Sequence, residues 1–318
     1  MDLELYTYVN NTKWILTDSV SDLKVTQSLY DSPGKCTFTI HDNFDIPNGS
    51  TVHLKVDGKG FFKGYVFKSS FNQDDETEVT VYDQMRYLKN EDTIYYKNKS
   101  ASDIFADICK RNGLKYDVVW KATYKNLPYL YDKKSMFDIL KTAIDENFRN
   151  TGNRYFVRDE YGTLKFINLA KRKTDLIVGV DSICTEFSYE KSIDDNTYNV
   201  IKLYRDNQDT AKRDVWQAQD SGTIKTWGRL QKTDTVDENA SESQIKELAK
   251  NMLKVLNRET RSLSVSTIGF YNLRAGDGIK VELPMVNEWF YINEITTSFE
   301  NNYAQSDIDL YIPNGGEE

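Results

Sequence analysis

The chain has 318 residues, of which 39% are hydrophobic and 13% aromatic, and its formal net charge is −8, so it is long enough for about two or three packed units. The acidic balance excludes a global basic field that attracts duplex DNA or anionic lipid, and no specific nucleic-acid binding is expected. No run approaches the roughly 18 apolar residues of a membrane-spanning helix, and the acidic start, Met1-Asp2-Leu3-Glu4, lacks the apolar stretch of a secretory signal.

The first segment, residues 1–90, has the pattern of a series of short strands. Apolar residues alternate with polar ones at Cys36, Phe38 and Ile40, at Val52, Leu54 and Val56, and at Val79 and Val81. Turn signals lie between the runs, at residues 31–34, 47–49 and 57–60. Gly64 interrupts one strand, which predicts a bulge or a close backbone approach. Roughly six or seven strands at this spacing predict a small closed or nearly closed antiparallel barrel.

The second segment, residues 91–185, changes to helical periodicity. Ser100 with Asp103 three positions later is a variant of the capping box, and it predicts a helix over residues 100–112 that ends before Gly113. Ser135 with Asp138 opens a second helix in the same way. A hairpin is predicted next, with strands at residues 155–157 and 164–167.

The third segment, residues 186–318, returns to strands. Alternating apolar residues predict strands at 198–204, 263–268, 279–283, 289–295 and 308–312. One helix interrupts them, because Ser241 with Gln244 forms a capping box ahead of an apolar stripe. The sequence therefore predicts a mainly β protein with an α+β insert: two antiparallel β-barrel domains, 1–90 and 186–318, flank a helix-containing module at 91–185.

Residue types that carry catalysis are sparse. The two histidines, His41 and His53, lie on the polar sides of predicted strands, and no cluster has the roughly four ligands of a zinc site. Neighbouring acids such as Asp145 and Glu146 are expected by chance among 49 carboxylates, and solvated surface explains them better than a glycosidase pair. No catalytic, cofactor-binding or metal-binding residue is predicted.

Three further groups have a structural and a functional interpretation. Tyr124, Tyr129 and Tyr131 with Trp120 fit a sugar-stacking platform, but packing of a linker onto the two helices is the simpler interpretation. The basic run at residues 171–173 is too short to indicate nucleic-acid binding. Cys36, Cys109 and Cys184 are an odd, widely spaced set, which favours free buried thiols over disulfides or a metal.

Several motifs in this order resemble the hub proteins of contractile phage tails. The strand Phe62-Lys63-Gly64-Tyr65-Val66-Phe67 and the stretch Val79-Thr80-Val81-Tyr82-Asp83-Gln84-Met85-Arg86-Tyr87-Leu88 are similar to the family's glycine-containing strand and its following motif. Tyr95-Tyr96-Lys97-Asn98-Lys99-Ser100 resembles the family's helix start. Gly276-Asp277-Gly278-Ile279-Lys280-Val281 and Trp289-Phe290-Tyr291-Ile292-Asn293-Glu294-Ile295 resemble its last hairpins. The similarity covers nearly the whole chain and is greatest to XkdQ-like proteins of PBSX-type defective prophages, within the late control D and VgrG-like hub superfamily.

The resemblance implies a structural baseplate hub of a contractile injection particle, either a phage tail or an R-type bacteriocin. Such a hub is a homotrimer whose subunits each carry two tube-like barrels, so that the trimer adapts a hexameric tail tube protein to a central spike protein. Other baseplate proteins are implied as partners. The chain lacks the fused lysozyme, spike or needle of larger family members, which implies that the spike is a separate chain.

Two other functions remain as alternatives. One is a peptidoglycan hydrolase component of the tail that uses the helical module, and the other is a receptor-binding or glycan-binding tail protein, suggested by the 21 tyrosines. The favoured interpretation is a non-enzymatic protein without a cofactor. It is expected in the bacterial cytoplasm during assembly and then in the baseplate of the particle.

Overall fold

The computed structural model describes residues 1–30, 32–41, 44–73, 75–179, 184–194, 196–207, 212–238, 240–269, 272–283, 286–300 and 303–312. Turns occur at two of the predicted positions, around residues 48–49 and 57–58. The third predicted turn begins at Asp31, which lies outside the described residues.

Seven strands form the N-terminal half: β1 (Leu3–Val9), β2 (Thr12–Ile15), β3 (Val20–Ser28), β4 (Lys35–Ile40), β5 (Thr51–Val56), β6 (Lys59–Phe71) and β7 (Thr77–Tyr82). The predicted alternation is present in β4 and β5, whose apolar residues are buried while the residues between them are partly exposed. Gly64 marks a close approach as predicted, because a Cβ atom there would lie 2.5 Å from the carbonyl oxygen of Tyr82.

The module contains two main helices and five strands: β8 (Glu91–Tyr96), α1 (Ala101–Arg111), β9 (Tyr116–Val118), β10 (Tyr129–Ser135), α2 (Met136–Thr151), β11 (Tyr155–Asp159) and β12 (Leu164–Asn168). The predicted capping box of α1 is confirmed, since the Ser100 hydroxyl accepts from the backbone N–H of Asp103 while the Asp103 carboxylate accepts from that of Ser100. Helix α2 begins after Ser135, whose hydroxyl accepts from the Asp138 backbone. The two helices pack over both small sheets of the module, β8–β10 and β11–β12–β9.

The C-terminal half adds six strands to the main sheet: β13 (Lys173–Gly179), β14 (Cys184–Ser192), β18 (Thr260–Ile268), β19 (Gly278–Leu283), β20 (Val286–Glu300) and β21 (Tyr303–Tyr311). Between β14 and β18 lies a small unit of β15 (Val200–Asn207), β16 (Lys212–Gln219), α3 (Ser221–Trp227), β17 (Gln231–Thr235) and α4 (Glu242–Leu256). The predicted capping box of α4 at Ser241 is confirmed.

The mainly β fold class with an α+β module is confirmed, but the two strand-rich halves do not form closed barrels. Among the described residues the strands pair in one open 13-stranded sheet, whose order is β14-β18-β21-β20-β3-β4-β7-β6-β5-β1-β2, with β13 and β19 attached through β20. The strand edges that would close two separate barrels pair with each other instead, because β3 of the first half is antiparallel to β20 of the second.

The strand at residues 198–204 also differs from the prediction, which placed it in the second barrel. It belongs to β15, which pairs with β16 and β17 in a separate three-stranded sheet. Helix α4 covers this sheet and buries Ile201 and Leu203 against Ile245, Ala249 and Met252. The unit is therefore an insertion with a core of its own.

The two halves of the main sheet repeat one strand order. In the first half β5, β6, β7, β4 and β3 are successive neighbours, and in the second half β19, β20, β21, β18 and β14 are successive neighbours in the same chain order. All eight of these pairings are antiparallel. The outermost strands differ, because β1 is antiparallel to β5 whereas β13 is parallel to β19.

The repeat extends to the register. Tyr65 of β6 pairs with Tyr82 of β7, and Tyr291 of β20 pairs with Tyr311 of β21. A register shift follows one residue later in both cases, between Val66 and Lys68 in β6 and between Ile292 and Glu294 in β20. Residues 65–71 and 291–297 are therefore structurally equivalent, position by position.

Each half has its own core, and a further cluster joins them to the module. The N-terminal core contains Phe299 and Ala304 from the other half, which fixes the β3–β20 junction in place. The joining cluster buries Leu29, Phe156, Ile167, Leu169, Ala275 and Tyr291.

Candidate assembly surfaces

Several strand edges of the main sheet are open among the described residues. Strands β2, β13 and β14 each pair with a single strand, and the partner of β14 is β18. Strand β6 pairs with β7 as far as Phe71, but β5 covers its other edge only as far as Tyr65. Residues 68–71 of β6 therefore present an open edge as well. Open edges expose unpaired N–H and C=O groups and are templates for pairing with another chain.

Large apolar side chains are exposed at the β14 edge and at the β6 edge. Phe71 at the end of β6 is 59% exposed, and Phe187 on β14 is 47% exposed. Tyr189, two residues further along β14, is partly exposed. Exposed aromatic groups beside unpaired backbone are typical of surfaces that contact another protein.

One face of the main sheet is polar and accessible to solvent in both halves. On this face two grooves lie at equivalent positions, one between β3, β4 and β7 and the other between β14, β18 and β21. Their polar residues are Asp22, Lys24, Thr37, Thr39, Glu78 and Thr80 in the first, and Glu186, Ser188, Ser264, Ser266, Asp307 and Asp309 in the second. In the second groove Ser264 and Ser266 donate hydrogen bonds to Asp309 and Asp307 at 2.7 and 2.8 Å. The two grooves together contain five acids and one lysine.

Both histidines have structural roles. The His53 ring stacks on Tyr6 at 4.8 Å and its Nδ1 lies 3.0 Å from the hydroxyl of Tyr161, which belongs to the β11–β12 turn of the module. Burial, together with nearby Lys63, lowers the pKa of His53 to about 4. His41 lies 2.7 Å from the Ser21 hydroxyl and 3.2 Å from Glu76. The two rings sit at separate places and form no joint site.

The neighbouring acids Asp145 and Glu146 on α2 do not converge on a cleft. Glu146 accepts hydrogen bonds from the Leu127 backbone at 2.7 Å and from the Tyr124 hydroxyl at 3.3 Å. It therefore ties the linker before β10 to the helix. Burial raises the pKa of Asp145, and the nearby cation of Arg154 offsets only part of this increase.

The aromatic residues of that linker follow the packing interpretation. Tyr131 is buried in the module core and Trp120 packs against it. Tyr129 is 56% exposed beside Tyr131, with ring centres 4.7 Å apart. Because the rings do not face solvent together, they form no stacking platform for a sugar.

A buried carboxylate pair was not predicted from the sequence. Asp83, which follows β7, accepts hydrogen bonds from the backbone of Gly34 and Met85, both at 2.9 Å. Asp159 at the end of β11 accepts from Gln84 at 3.1 Å. Burial and the neighbouring Asp159 raise the pKa of Asp83 well above its usual value, and burial raises that of Asp159. The only signal in the sequence was Asp83 itself, within the motif that resembles tail hubs.

The space beside these acids does not fit a polymeric substrate. The adjoining cavity, which Phe156, Arg158 and Ala275 also line, has a volume of about 10 Å³, room for no more than about one water molecule. The pair therefore has the character of a structural joint between the first half and the module, where Gln84 and three backbone N–H groups satisfy the carboxylates.

Arg172 of the basic run at residues 171–173 takes part in a second joint, around the buried Asp277. Asp277 accepts from Arg172 at 2.7 Å and from Arg158 at 2.9 Å, and both Asp277 and Arg158 are buried. Burial by itself would lower the pKa of Arg158, but the carboxylates of Asp277 and Glu160 outweigh it and raise the pKa. The network holds the module against the second half.

The three cysteines are free thiols, but the predicted burial holds for two of them only. Cys36 and Cys109 are buried and Cys184 is partly exposed. Burial raises the pKa of the Cys109 thiol to about 12, which makes it unreactive. Within the described ranges no group of three or more His, Cys, Asp or Glu side chains is arranged to hold a metal ion. No helix of the described chain is long and apolar enough to span a membrane.

Comparison with known proteins supplies the family context. The sequence profile of a protein family described as YQBQ-like matches residues 23–311. The uncharacterized protein YqbQ of Bacillus subtilis (strain 168) is 27% identical over 98% of this chain and 99% of its own length. The phage-like element PBSX protein XkdQ of the same strain is 23% identical over 97% and 96%.

A solved structure shows the same fold. The 43 kDa tail protein of prophage MuSo2 from Shewanella oneidensis superposes with a TM-score of 0.73 over 98% of both chains, at 13% sequence identity.

Proposed function

Because the chain belongs to the YQBQ-like family, we propose that it is a structural component of a phage-type tail, located in the baseplate. The relative XkdQ is a protein of the phage-like element PBSX, and the similar solved structure is a prophage tail protein. Both likenesses extend over nearly the whole chain, so they concern the complete architecture rather than one common domain. None of the names of these relatives refers to an enzymatic activity, and we propose a non-enzymatic role.

More specifically, we propose a homotrimeric hub between a hexameric tail tube and a central spike. The observation that carries this proposal is the repeat of strand order and register in the two halves of the main sheet. A chain with two equivalent sheet units has two similar surfaces, so three chains around an axis have six. Such a ring matches sixfold symmetry on one side and threefold symmetry on the other.

The segments have distinct roles in this proposal. The two halves of the main sheet, β1–β7 and β13, β14 with β18–β21, are the two tube-like units, and the α+β module from β8 to β12 lies on the side of the ring. The polar face of the sheet, with its excess of acids, lines the lumen. A negative lining suits the passage of a polyanion because it does not adsorb DNA.

The proposed partners are a tail tube protein, a spike protein and other baseplate proteins of the same particle. Assembly takes place in the bacterial cytoplasm, after which the protein stays in the baseplate of a phage or a bacteriocin particle. Co-expression of the chain with the tube and spike proteins of its own prophage, followed by affinity purification, tests these contacts. Co-purification of both partners is the expected result, and failure to retain either of them would argue against the hub.

The oligomeric state tests the trimer separately. Sedimentation velocity of the purified protein at increasing concentration should show a species with three times the 36.9 kDa mass of the chain. A strict monomer or a twofold dimer would contradict the proposal. Incubation with purified cell walls tests the alternative hydrolase, and the expected result is no release of soluble fragments.

A further inference from the structure

One strand junction inside the chain already joins the two sheet units. Strand β3 runs antiparallel to β20, with Ser28 opposite Glu294, Thr26 opposite Thr296 and Val25 opposite Thr297. The hydroxyl oxygens of Thr26 and Thr296 lie 3.0 Å apart on the polar face. On the opposite face Leu23, Val25, Thr297 and Phe299 are each no more than 5% exposed.

The strand order assigns an equivalent to each partner of this junction. Strand β14 has in the second half the place that β3 has in the first. Strand β14 is the last of its five equivalent strands and lies beside β18, and β3 is the last of its five and lies beside β4. Strand β6 in turn is equivalent to β20. The equivalent of the β3–β20 junction is therefore a junction of β14 with β6. Among the described residues of one chain this junction does not form, and both the β14 edge and residues 68–71 of β6 are open.

The register of this second junction follows from the first. Residues 291–297 of β20 correspond to residues 65–71 of β6, so Thr296 corresponds to Ser70 and Thr297 to Phe71. On the other strand, the pairing of β3 with β4 and of β14 with β18 makes Glu190 equivalent to Thr26 and Tyr189 equivalent to Val25.

We propose that β14 of one copy pairs antiparallel with residues 68–71 of β6 in the next copy, with Ser192 opposite Lys68, Glu190 opposite Ser70 and Tyr189 opposite Phe71. This inference rests on the proposed self-assembly of the chain and specifies the contact that produces it. The occupant of each open edge is thus a second copy of the same chain.

The side chains at the two edges suit this register. Phe71 and Tyr189 lie on the face that is buried in the β3–β20 junction, together with Phe187, whose counterpart Leu23 is 2% exposed. Phe71, beside the open edge of β6, is 59% exposed, whereas its counterpart Thr297, which has a partner strand, is 2% exposed. Pairing would therefore bury the exposed aromatic groups of both edges in one cluster.

The charges at the edges are complementary as well. On the polar face, Lys68 would lie diagonally across from Glu190, and the Ser70 hydroxyl would lie where it can donate to the Glu190 carboxylate. Opposite charges in a diagonal cross-strand position are favourable. A strand slipped by one residue would instead turn Phe71 toward solvent, so the buried face selects the register.

The contact joins two different surfaces, and it is therefore head-to-tail. Each copy pairs its β14 with one neighbour and its β6 with the other. An isolated pair of copies therefore leaves one β14 edge and one β6 edge unpaired. Head-to-tail contacts form a closed ring when the rotation between copies closes, and the internal junction supplies a second step of the same kind within each copy.

Disulfide trapping tests the register directly. In a background with Cys184→Ser, which removes the one partly exposed native thiol, Ser70→Cys is combined with Glu190→Cys and the protein is oxidised. The expected result is a disulfide between copies, visible as dimers and higher species on a non-reducing gel and as a peptide linking positions 70 and 190 by mass spectrometry.

Two variants are matched controls. Thr26→Cys with Thr296→Cys samples the internal junction and should give a disulfide within one chain, which proves that the geometry permits it. Ser69→Cys with Glu190→Cys places the thiols on opposite faces of the proposed pair and should give little cross-linking between copies.

The outcomes separate the register from the self-assembly. Absence of the 70–190 disulfide while sedimentation still shows an oligomer would overturn the proposed junction and leave the proposed ring standing. Absence of the disulfide in a strict monomer would overturn both. Equal cross-linking by the Ser69 control would overturn the register.

Discussion

At the scale of single residues, the polar groups of this chain hold its parts together. Asp277 receives hydrogen bonds from two arginines, Arg158 within β11 and Arg172 just before β13. His53 on β5 and Tyr161 in the module form a second contact between parts. Residues of these types often occur in active sites. In this protein each of them contributes to a contact between the module and the main sheet.

We expect Asp277→Asn to lower the free energy of unfolding by about 3–5 kcal/mol, because it removes the buried carboxylate that pairs with both Arg158 and Arg172 and leaves the buried Arg158 guanidinium with only the partly exposed Glu160 as an ion-pair partner. Urea denaturation measures this difference. Lys246→Ala is the control, since Lys246 and Glu242 form an exposed ion pair on α4, for which a loss below about 1 kcal/mol is expected. A loss from Asp277→Asn as small as that of the control would contradict the structural role of the network.

We expect His53→Gln to flatten the pH dependence of stability between about pH 6.5 and pH 4. In the unfolded chain the imidazole takes up a proton near pH 6.5, whereas in the folded protein its pKa is lowered to about 4. The unfolded state therefore binds more protons in this window, so the folded protein loses stability as the pH falls through it and keeps that stability above it. His41→Gln, on an exposed imidazole, should retain the wild-type loss; an unchanged slope in His53→Gln would refute the assignment.

At the scale of elements, the local rules account for much of the structure. Hydroxyl caps at Ser100, Ser135 and Ser241 predicted where three helices begin, and period-two alternation predicted most strands of the main sheet. These signals are readable because capping and alternation involve residues close together in the chain.

The features that the sequence did not predict depend on distant pairs. Strands β3 and β20 lie more than two hundred residues apart, and nothing in the pattern of either strand specifies its partner across the two halves. The placement of β15 in a separate sheet also depends on the later β17 and α4. The joint at Asp83 and Asp159 was missed for the same reason, because each acid looks ordinary until the fold buries both.

We expect Gly64→Ala to lower the free energy of unfolding by about 1–3 kcal/mol, since the added methyl group would meet the backbone of Tyr82, which cannot move aside. Thermal or urea unfolding measures the change. Gly222→Ala is the control, because the only atom close to its added Cβ is a side-chain oxygen of Asp220, and Ala favours the helix. Equal effects of the two substitutions would show that the close approach at Gly64 costs nothing.

At the scale of the whole molecule, the chain is built as two similar units in tandem. The internal junction pairs β3 of one unit with β20 of the other, and among the described residues their counterparts, β14 and residues 68–71 of β6, are unpaired on the corresponding edges. A repeat of this kind makes assembly with further copies an extension of the internal fold, without a new type of contact. The function proposed for the chain, adaptation between sixfold and threefold symmetry, follows from this property.

We expect Phe71→Asp to abolish or strongly weaken self-assembly while leaving the monomer folded, because Phe71 is exposed in the single chain and buried only in the proposed junction. Sedimentation velocity measures the assembly and circular dichroism measures the fold. Val215→Asp is the control, since Val215 is 52% exposed on the inserted sheet, away from both edges, and should assemble as the wild type does. Assembly of Phe71→Asp at wild-type concentration would exclude this residue from the contact.

Electron cryo-microscopy of the assembled protein would show whether two equivalent sheet units per chain build a ring. We expect a hollow ring of three copies with six similar sheet units, joined in turn by an internal β3–β20 junction and by an intermolecular β14–β6 junction. A particle with twofold symmetry, or a ring whose copies meet through the helical modules with β14 and β6 still exposed, would contradict it.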